Sequence, residues 1–214
     1  MGTDKRETLF IVGERLFSKN GYRDVSVEEI AGNAGLGTGS FYSFFRTKET
    51  LYSAILDRME KRGAEEAERH VRKFNSPMNK LKALYRFGML GLKQNPMIRG
   101  MITGEKKFLF PGAEKRENTL LASIERLLDE ILAEGARKRV FRTGLFRNAH
   151  RMLLAVYNSV LLDPGEDSIT ELMDDVLLLI ERGIKRRLRL RQRDERLDRR
   201  IMRKSGPEKL SPIS

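Results

Sequence analysis

The 214-residue chain contains no cysteine, no tryptophan and only two histidines, His70 and His150. Without cysteine there is no disulfide framework and no thiol chemistry. Two histidines far apart in sequence offer no metal-ligand spacing, so no metal site and no cofactor are expected. A phosphate-binding glycine loop and a nucleophile elbow are also missing, so no catalytic residue is assigned and an enzyme is not expected. No apolar run approaches the roughly 18 residues of a membrane span, and the N-terminus lacks an apolar signal region. A cytoplasmic protein with no membrane partner is therefore expected. Strand-like alternation is not sustained anywhere, which leaves an all-α fold of about nine helices.

The stretch from Ser26 to Phe45, SVEEIAGNAGLGTGSFYSFF, is the most informative part of what is present. Ser26 and Glu29 have the S-x-x-E spacing of a capping box. Val27, Ile30, Ala31 and Ala34 then form one apolar face of a short helix. Gly35 can stop it, because glycine enters the left-handed conformation without a steric penalty. Leu36 fits the corner, and a second helix runs from about Thr38 to Phe44. Such a helix-turn-helix presents a second helix sized for a DNA major groove, although a helical pair of this kind also serves as plain packing.

The neighbouring residues extend the pattern. Leu9, Phe10, Val12, Leu16 and Phe17 form a first helix closed by Gly21-Tyr22. Ser26, Val27, Ile30 and Ala31 follow, then Ala34-Gly35-Leu36, Gly39, Phe41-Tyr42 and Phe45, with Lys48-Glu49 and Leu51 opening a fourth helix. In this gapless spacing the first 55 residues or so resemble the tetracycline-repressor (TetR) family of bacterial transcription regulators. The resemblance implies a sequence-specific DNA-binding regulator, usually a repressor, that meets a pseudo-palindromic double-stranded operator as a homodimer and answers to a small-molecule effector. It implies a DNA-binding domain at residues 1–47 and a helical ligand-binding and dimerisation domain at 48–190, and the charge run beyond them reads as a basic, partly disordered extension at 191–214.

The net charge of +12 invites a nucleic-acid partner, but it is not where the motif is. Residues 1–50 hold seven Lys/Arg against seven Asp/Glu, whereas residues 182–214 hold thirteen against four, a net of +9. A neutral head still binds DNA if its cations cluster at the contact face. The basic tail reads either as a solvated helical extension or as a source of non-specific phosphate attraction. The latter supports a competing function, a basic nucleic-acid-binding protein of low sequence specificity.

Candidate DNA contacts are Ser26, Gly37, Thr38, Gly39, Ser40, Tyr42, Ser43 and Lys48. Ser26 is a cap and, by the resemblance, a phosphate contact. Gly37 is an acceptable N-cap, and Gly39 lets the helix backbone come close to the groove. Thr38 and Ser40 exchange hydrogen bonds with base edges, and no Arg or Asn is present for bidentate reading. Operator selection therefore leans on short contacts, water and DNA shape. Tyr42 looks like the family's phosphate-contacting tyrosine, with Phe41 and Phe45 as core. Lys48, in a first helical turn against the dipole preference, is either a phosphate contact or a solvated lysine. Arg23 and Arg46 are further backbone-contact candidates.

Farther on, Ser76-Pro77 and Asn95-Pro96 punctuate helices, and Pro111-Gly112 precedes an apolar stripe of Leu120, Leu121, Ile124, Leu127, Leu128, Ile131 and Leu132. A helix over about 145–162 and a last one after the capping box Ser168–Glu171 are apolar on more than one face, which demands partners on several sides. Either one subunit fills them or, as the resemblance implies, a second copy does, through Leu145, Met152, Val156, Val160, Leu172, Val176, Leu179 and Ile180. The resemblance also implies a small-molecule pocket, for which Tyr85, Met89, Met101, Phe108 and Tyr157 are the nominated lining. Met and aromatic residues at helical spacing serve equally as plain core. An apolar or weakly polar effector is expected.

Overall fold

The computed structural model describes residues 4–142, 151–153, 155 and 169–184, the side chains of 169–173 and 184 excepted. The fold is all-α, an N-terminal helix-turn-helix domain followed by a helical domain. α1 runs Lys5–Asn20, α2 Val27–Asn33, α3 Thr38–Phe44 and α4 Lys48–Arg72. α5 (Pro77–Gln94), α6 (Pro96–Thr103), a 3-10 turn (Ala113–Lys115), α7 (Thr119–Arg137) and α8 (Ile169–Ile184) follow.

Local chemistry sets these boundaries. The Asp4 carboxylate accepts from the Arg6 amide at 2.9 Å and starts α1. The Ser26 hydroxyl accepts from the Glu29 amide at 3.0 Å, and the Thr47 hydroxyl from the Thr50 amide at 3.2 Å, so α2 and α4 begin at side-chain caps. A cap of this type stabilises its helix by about 1 kcal/mol. Gly35 is left-handed (φ 67°), and the Leu36 amide donates back to the Ala31 carbonyl at 2.9 Å, which closes α2 as the spacing predicts. Pro77 and Pro96 sit in the first turns of α5 and α6, where a missing amide proton costs nothing.

One continuous core joins the two parts. Leu9, Phe17, Ile30, Phe41, Leu51, Tyr52 and Ile55 are at most 1% exposed, and the same cluster continues through Leu81, Met97, Phe108 and Leu128. α1 lies close on α4 because Gly13 carries no side chain: a Cβ there would sit 3.0 Å from Ile55 and 3.1 Å from Leu51. Two ion pairs lace the same contact, a bidentate Arg58–Glu7 at 2.7 and 2.8 Å and Arg62–Glu14 at 2.9 Å. The Arg58 guanidinium holds the Glu7 carboxyl below its ordinary range.

The helical domain packs α4, α5 and α7 against one another, with α8 on α5. Its tie points are ionic: Lys80–Glu134 at 2.6 Å across α5–α7, and Lys82–Glu181 at 2.5 Å across α5–α8. Glu60, fully buried on α4, accepts from Arg116 at 2.6 Å and from the Thr119 amide and hydroxyl at 3.0 Å each. It thereby satisfies an orphan amide at the N-terminus of α7. The expected helix over about 145–162 and the Ser168 cap fall largely outside the described residues, although 151–153 and 155 are helical.

Candidate nucleic-acid interface and effector cavity

α3 is built as a two-faced element. Phe41 and Phe45 are 0% and 2% exposed, packed with ring centroids 5.8 Å apart, and Phe45 meets Phe10 edge-on at 5.3 Å. These rings fix the inner face. The outer face carries Thr38, Gly39, Tyr42 and Ser43 in solvent, with Ser40 half-buried beside them and Gly37 exposed at the N-cap. Tyr42, 55% exposed, is braced against Phe41, edge to face at 5.4 Å. Phe44 is also on the exposed side, 39% accessible. The Ser43 hydroxyl donates to the Ser40 carbonyl at 2.7 Å, which leaves its lone pairs as acceptors. Side chains attached to Gly37 or Gly39 would meet nothing within 4 Å, so the smallness of these positions is not demanded by packing inside the protein.

Two of the sequence candidates have inward functions as well. Ser26 is the α2 cap, and its hydroxyl proton remains to be donated elsewhere. Lys48 is not a solvated lysine. Its ammonium donates to the carbonyls of Tyr22 (2.9 Å) and Val25 (2.7 Å) and lies 4.2 Å from the Tyr22 ring centroid. It pins the α1–α2 connection to α4, with one N–H left over. Arg23 and Arg46 are exposed and make no ion pair among the described residues, so the free cations flanking α2 and α3 are these two.

The head is seated on the second domain through an aromatic junction that sequence reasoning did not single out. The Tyr22 amide donates to the Lys107 carbonyl at 2.7 Å, and the buried Tyr52 hydroxyl to the Phe108 carbonyl at 2.8 Å. Gly21 (φ 84°) is required where Lys107 passes, since a Cβ would come within 2.5 Å of its carbonyl oxygen. Tyr22 also hydrogen-bonds the Glu49 carboxylate, which lowers the Glu49 pKa. Burial, with the Glu49 charge beside it, pushes the Tyr22 phenol up, and burial does the same to Tyr52.

A cavity of about 490 Å³ opens between α4, α5, α6 and the start of α7. Met59, Phe87, Leu92, Ile98, Ile102, Leu120, Leu121 and Ile124 supply an apolar lining, and Arg62, Glu66, Gln94 and Asn95 the polar part. Gly88 and Gly91 line its α5 side, and a Cβ on Gly91 would meet no atom within 4 Å. The volume is in the range of small-molecule sites.

Of the sequence-nominated lining, Tyr85, Met89, Met101 and Phe108 do not border this cavity. Tyr85 is buried with its hydroxyl donating to the Leu153 carbonyl at 2.6 Å, and Met89 is 6% exposed in the core. Phe108 is fully buried against Gly100, and Met101 packs half-buried onto the same core. They are structural, as Met and aromatic residues at helical spacing often are. Tyr157 lies outside the described residues. The missed signals were the paired glycines of α5 and the first half of the α7 stripe, whose second half, Leu127 to Leu132, is core.

On α8, Val176, Leu177 and Ile180 face inward, 8%, 3% and 8% exposed, which leaves Val176 and Ile180 little area for a second copy. The outward apolar positions are Leu178 and Leu179, 44% and 71% exposed, with Met152 at 54% on the preceding helical segment. Leu145, Val156 and Val160 lie outside the described residues, and the Leu172 side chain is likewise not described.

Comparison with known proteins accounts for this geometry. Residues 12–55 match the family described as bacterial regulatory proteins, tetR family. The N-terminal unit belongs to the tetR family. The chain is 38% identical over 55 residues to the HTH-type transcriptional repressor NemR of Escherichia coli K12, covering 26% of this chain. That match spans only 28% of NemR. Over more of its length the chain is 23% identical to the fatty acid metabolism regulator protein of Bacillus subtilis, across 79% of this chain and 90% of that protein. The crystal structure of the transcriptional regulator FadR from Bacillus subtilis in complex with stearoyl-CoA shares the fold, with a TM-score of 0.67 and 21% identity over 83% of this chain and 98% of that one. The likeness of fold to FadR thus extends beyond the N-terminal unit into the helical domain.

Proposed function

We propose that this protein is a sequence-specific DNA-binding transcription regulator, a homodimeric repressor whose operator affinity is set by a small molecule held in the α4–α7 cavity. The observation that carries the first half is α3 itself. Thr38, Gly39, Tyr42 and Ser43 stand exposed on a helix whose other face is locked by Phe41 and Phe45. Such a helix presents a fixed, small-residue surface that approaches base edges closely, with Ser26, Arg23 and Arg46 at backbone positions beside it. NemR, 38% identical over 55 residues, is named a repressor.

The second half rests on the cavity and on what joins it to the head. Ile98 and Ile102 of α6 line the cavity, and α6 leads into the Lys107–Phe108 segment that hydrogen-bonds Tyr22 and Tyr52. A ligand acts there only through unequal affinity for the DNA-competent and DNA-incompetent arrangements. The FadR structure is a complex with stearoyl-CoA, which supports a small-molecule effector for a regulator of this fold. Dimerisation through Met152, Leu178 and Leu179 would give two α3 helices for two half-sites, in the cytoplasm where the nucleoid lies. Among the described residues no helix is long and apolar enough to cross a membrane.

The experiment is selection of sites from a randomised DNA pool by the full-length protein at near-physiological salt. Enrichment of one inverted repeat is expected. Strong binding without a motif would replace this reading with a low-specificity architectural protein driven by the net +9 of residues 182–214.

A further inference from the structure

The cavity lining carries two charges, Arg62 and Glu66, one helical turn apart on α4. They are not equivalent. Arg62 already has a partner on α1, the Glu14 carboxylate at 2.9 Å. Glu66 has no hydrogen bond or ion pair among the described residues. Gln94 and Asn95 are neutral, and the Asn95 amide donates to the Gly91 carbonyl at 2.6 Å. The one uncompensated charge bordering the cavity is therefore negative. An aromatic ring, Phe87, borders the same space, held in a stack with His70 at 5.5 Å between centroids.

From this arrangement we infer that the cavity takes a lipophilic cation, an apolar body with a single positive head group set toward Glu66 and Phe87. The inference rests on the cavity being the effector site of the proposed regulator. The Leu, Ile and Met side chains of α4, α6 and α7 enclose the apolar body, which leaves water as it enters. The cationic head gains from the Glu66 carboxylate and from the negative face of the Phe87 ring. An anionic head would meet the Glu66 carboxylate as a like charge and would have to separate Arg62 from Glu14 to gain a partner. A neutral ligand of the same shape gains the apolar term alone.

Three probes that share one tail separate these cases: dodecyltrimethylammonium, 1-dodecanol and dodecanoate, each below its micellar concentration. They are titrated by displacement of an environment-sensitive dye from the full-length protein. The cation is expected to bind about tenfold more tightly than the alcohol, and the carboxylate most weakly. Glu66→Gln, an exposed change that leaves the core untouched, weakens the cation about threefold, toward but not down to the alcohol because Phe87 remains, and leaves the alcohol unaltered. Dodecanoate binding as well as the cation, or a cation affinity indifferent to Glu66→Gln, overturns the inference.

Gly91→Phe distinguishes this failure from failure of the cavity itself, because Gly91 lines the cavity and a Cβ there meets no atom within 4 Å. If Gly91→Phe abolishes alcohol binding while the wild type shows no preference for the cation, the effector site stands and only the charge assignment falls. If Gly91→Phe alters none of the three, or none binds the wild type, the cavity is not the site and both readings fall together.

Discussion

The head and the helical domain use the same kind of helix to make opposite kinds of site. In the head the site is a surface: Phe41 and Phe45 turn inward, and whatever does not fit the core, Thr38, Gly39, Tyr42 and Ser43, is displayed by default. In the helical domain the site is a void, lined by residues chemically identical to its core. Leu120 and Leu121 border the cavity, while Leu127 and Leu128 on the same stripe of α7 are buried in packing. A displayed face follows from periodicity within one helix. A void is defined by where three or four helices fail to meet, and no single helix encodes that.

The sharpest way to break the comparison is to ask whether the two regions are separable at all. Phe41→Ala removes a fully buried ring from the head and should cost about 3–5 kcal/mol. Because the core is continuous from Phe41 through Tyr52 to Leu128, thermal unfolding should stay a single transition with its midpoint lowered by about 10 °C. Two resolved transitions would show the head to be an independent unit. Next in size is Gly100→Ala. A Cβ at this position overlaps the Phe108 ring, and overpacking of that kind costs about 1–3 kcal/mol. Phe108 must move, and Lys107 with it, so amide exchange at Tyr22, whose N–H donates to the Lys107 carbonyl, should accelerate. An unchanged Tyr22 rate would mean that α6 and the head are not mechanically linked through this segment.

The same contrast explains what was legible in the sequence. The Ser26 cap, the Gly35 stop and the limits of α3 are each dictated within a few residues by capping and glycine chemistry, and all appear as the spacing implies. Lys48 was legible only as unusual. Its acceptors, the Tyr22 and Val25 carbonyls, lie more than twenty residues upstream, and only the folded turn brings them under its ammonium. Tyr85 and Phe108 look like lining because soft and aromatic side chains suit both roles. What makes them core is the hydroxyl bond to Leu153 and the bare Gly100 beneath the ring, and neither is a property of local pattern. Val176 and Ile180 were read as outward because α8 is apolar on two faces, and periodicity does not say which face meets α5.

Gly39→Ala sharpens the comparison in the opposite direction, since it should help the fold and harm the function. The position is exposed, and the added methyl meets nothing within 4 Å. Alanine in place of glycine inside a helix stabilises by up to about 1 kcal/mol. If Gly39 is there for close backbone approach to DNA, operator affinity should nonetheless fall, by about tenfold for one lost close contact. Denaturant unfolding and operator titration on the same preparation read both quantities. Raised stability with unchanged affinity would remove Gly39 from the interface.

The smallest expected effect lies in the helical domain and concerns acid. Glu134 is held by Lys138 and Lys80, each at 2.6 Å, and its pKa is lowered from 4.5 to about 2. Because the folded value is below the unfolded one, the contribution is complete above about pH 4.5 and is lost as the pH falls toward 2. Glu134→Gln should therefore lower stability slightly at pH 7 and flatten the pH dependence between those two values. The head has its own depressed carboxylates, Glu7 against Arg58 and Glu49 against Tyr22. Acid weakens both regions, so the variant tests whether they loosen together. With the continuous core in place, flattening of the acid limb in the α5–α7 clamp should appear equally in probes of the head, at the Tyr22 and Tyr52 rings. A change confined to probes of α7 would show that the helical domain loosens without passing that loosening to the DNA-binding face.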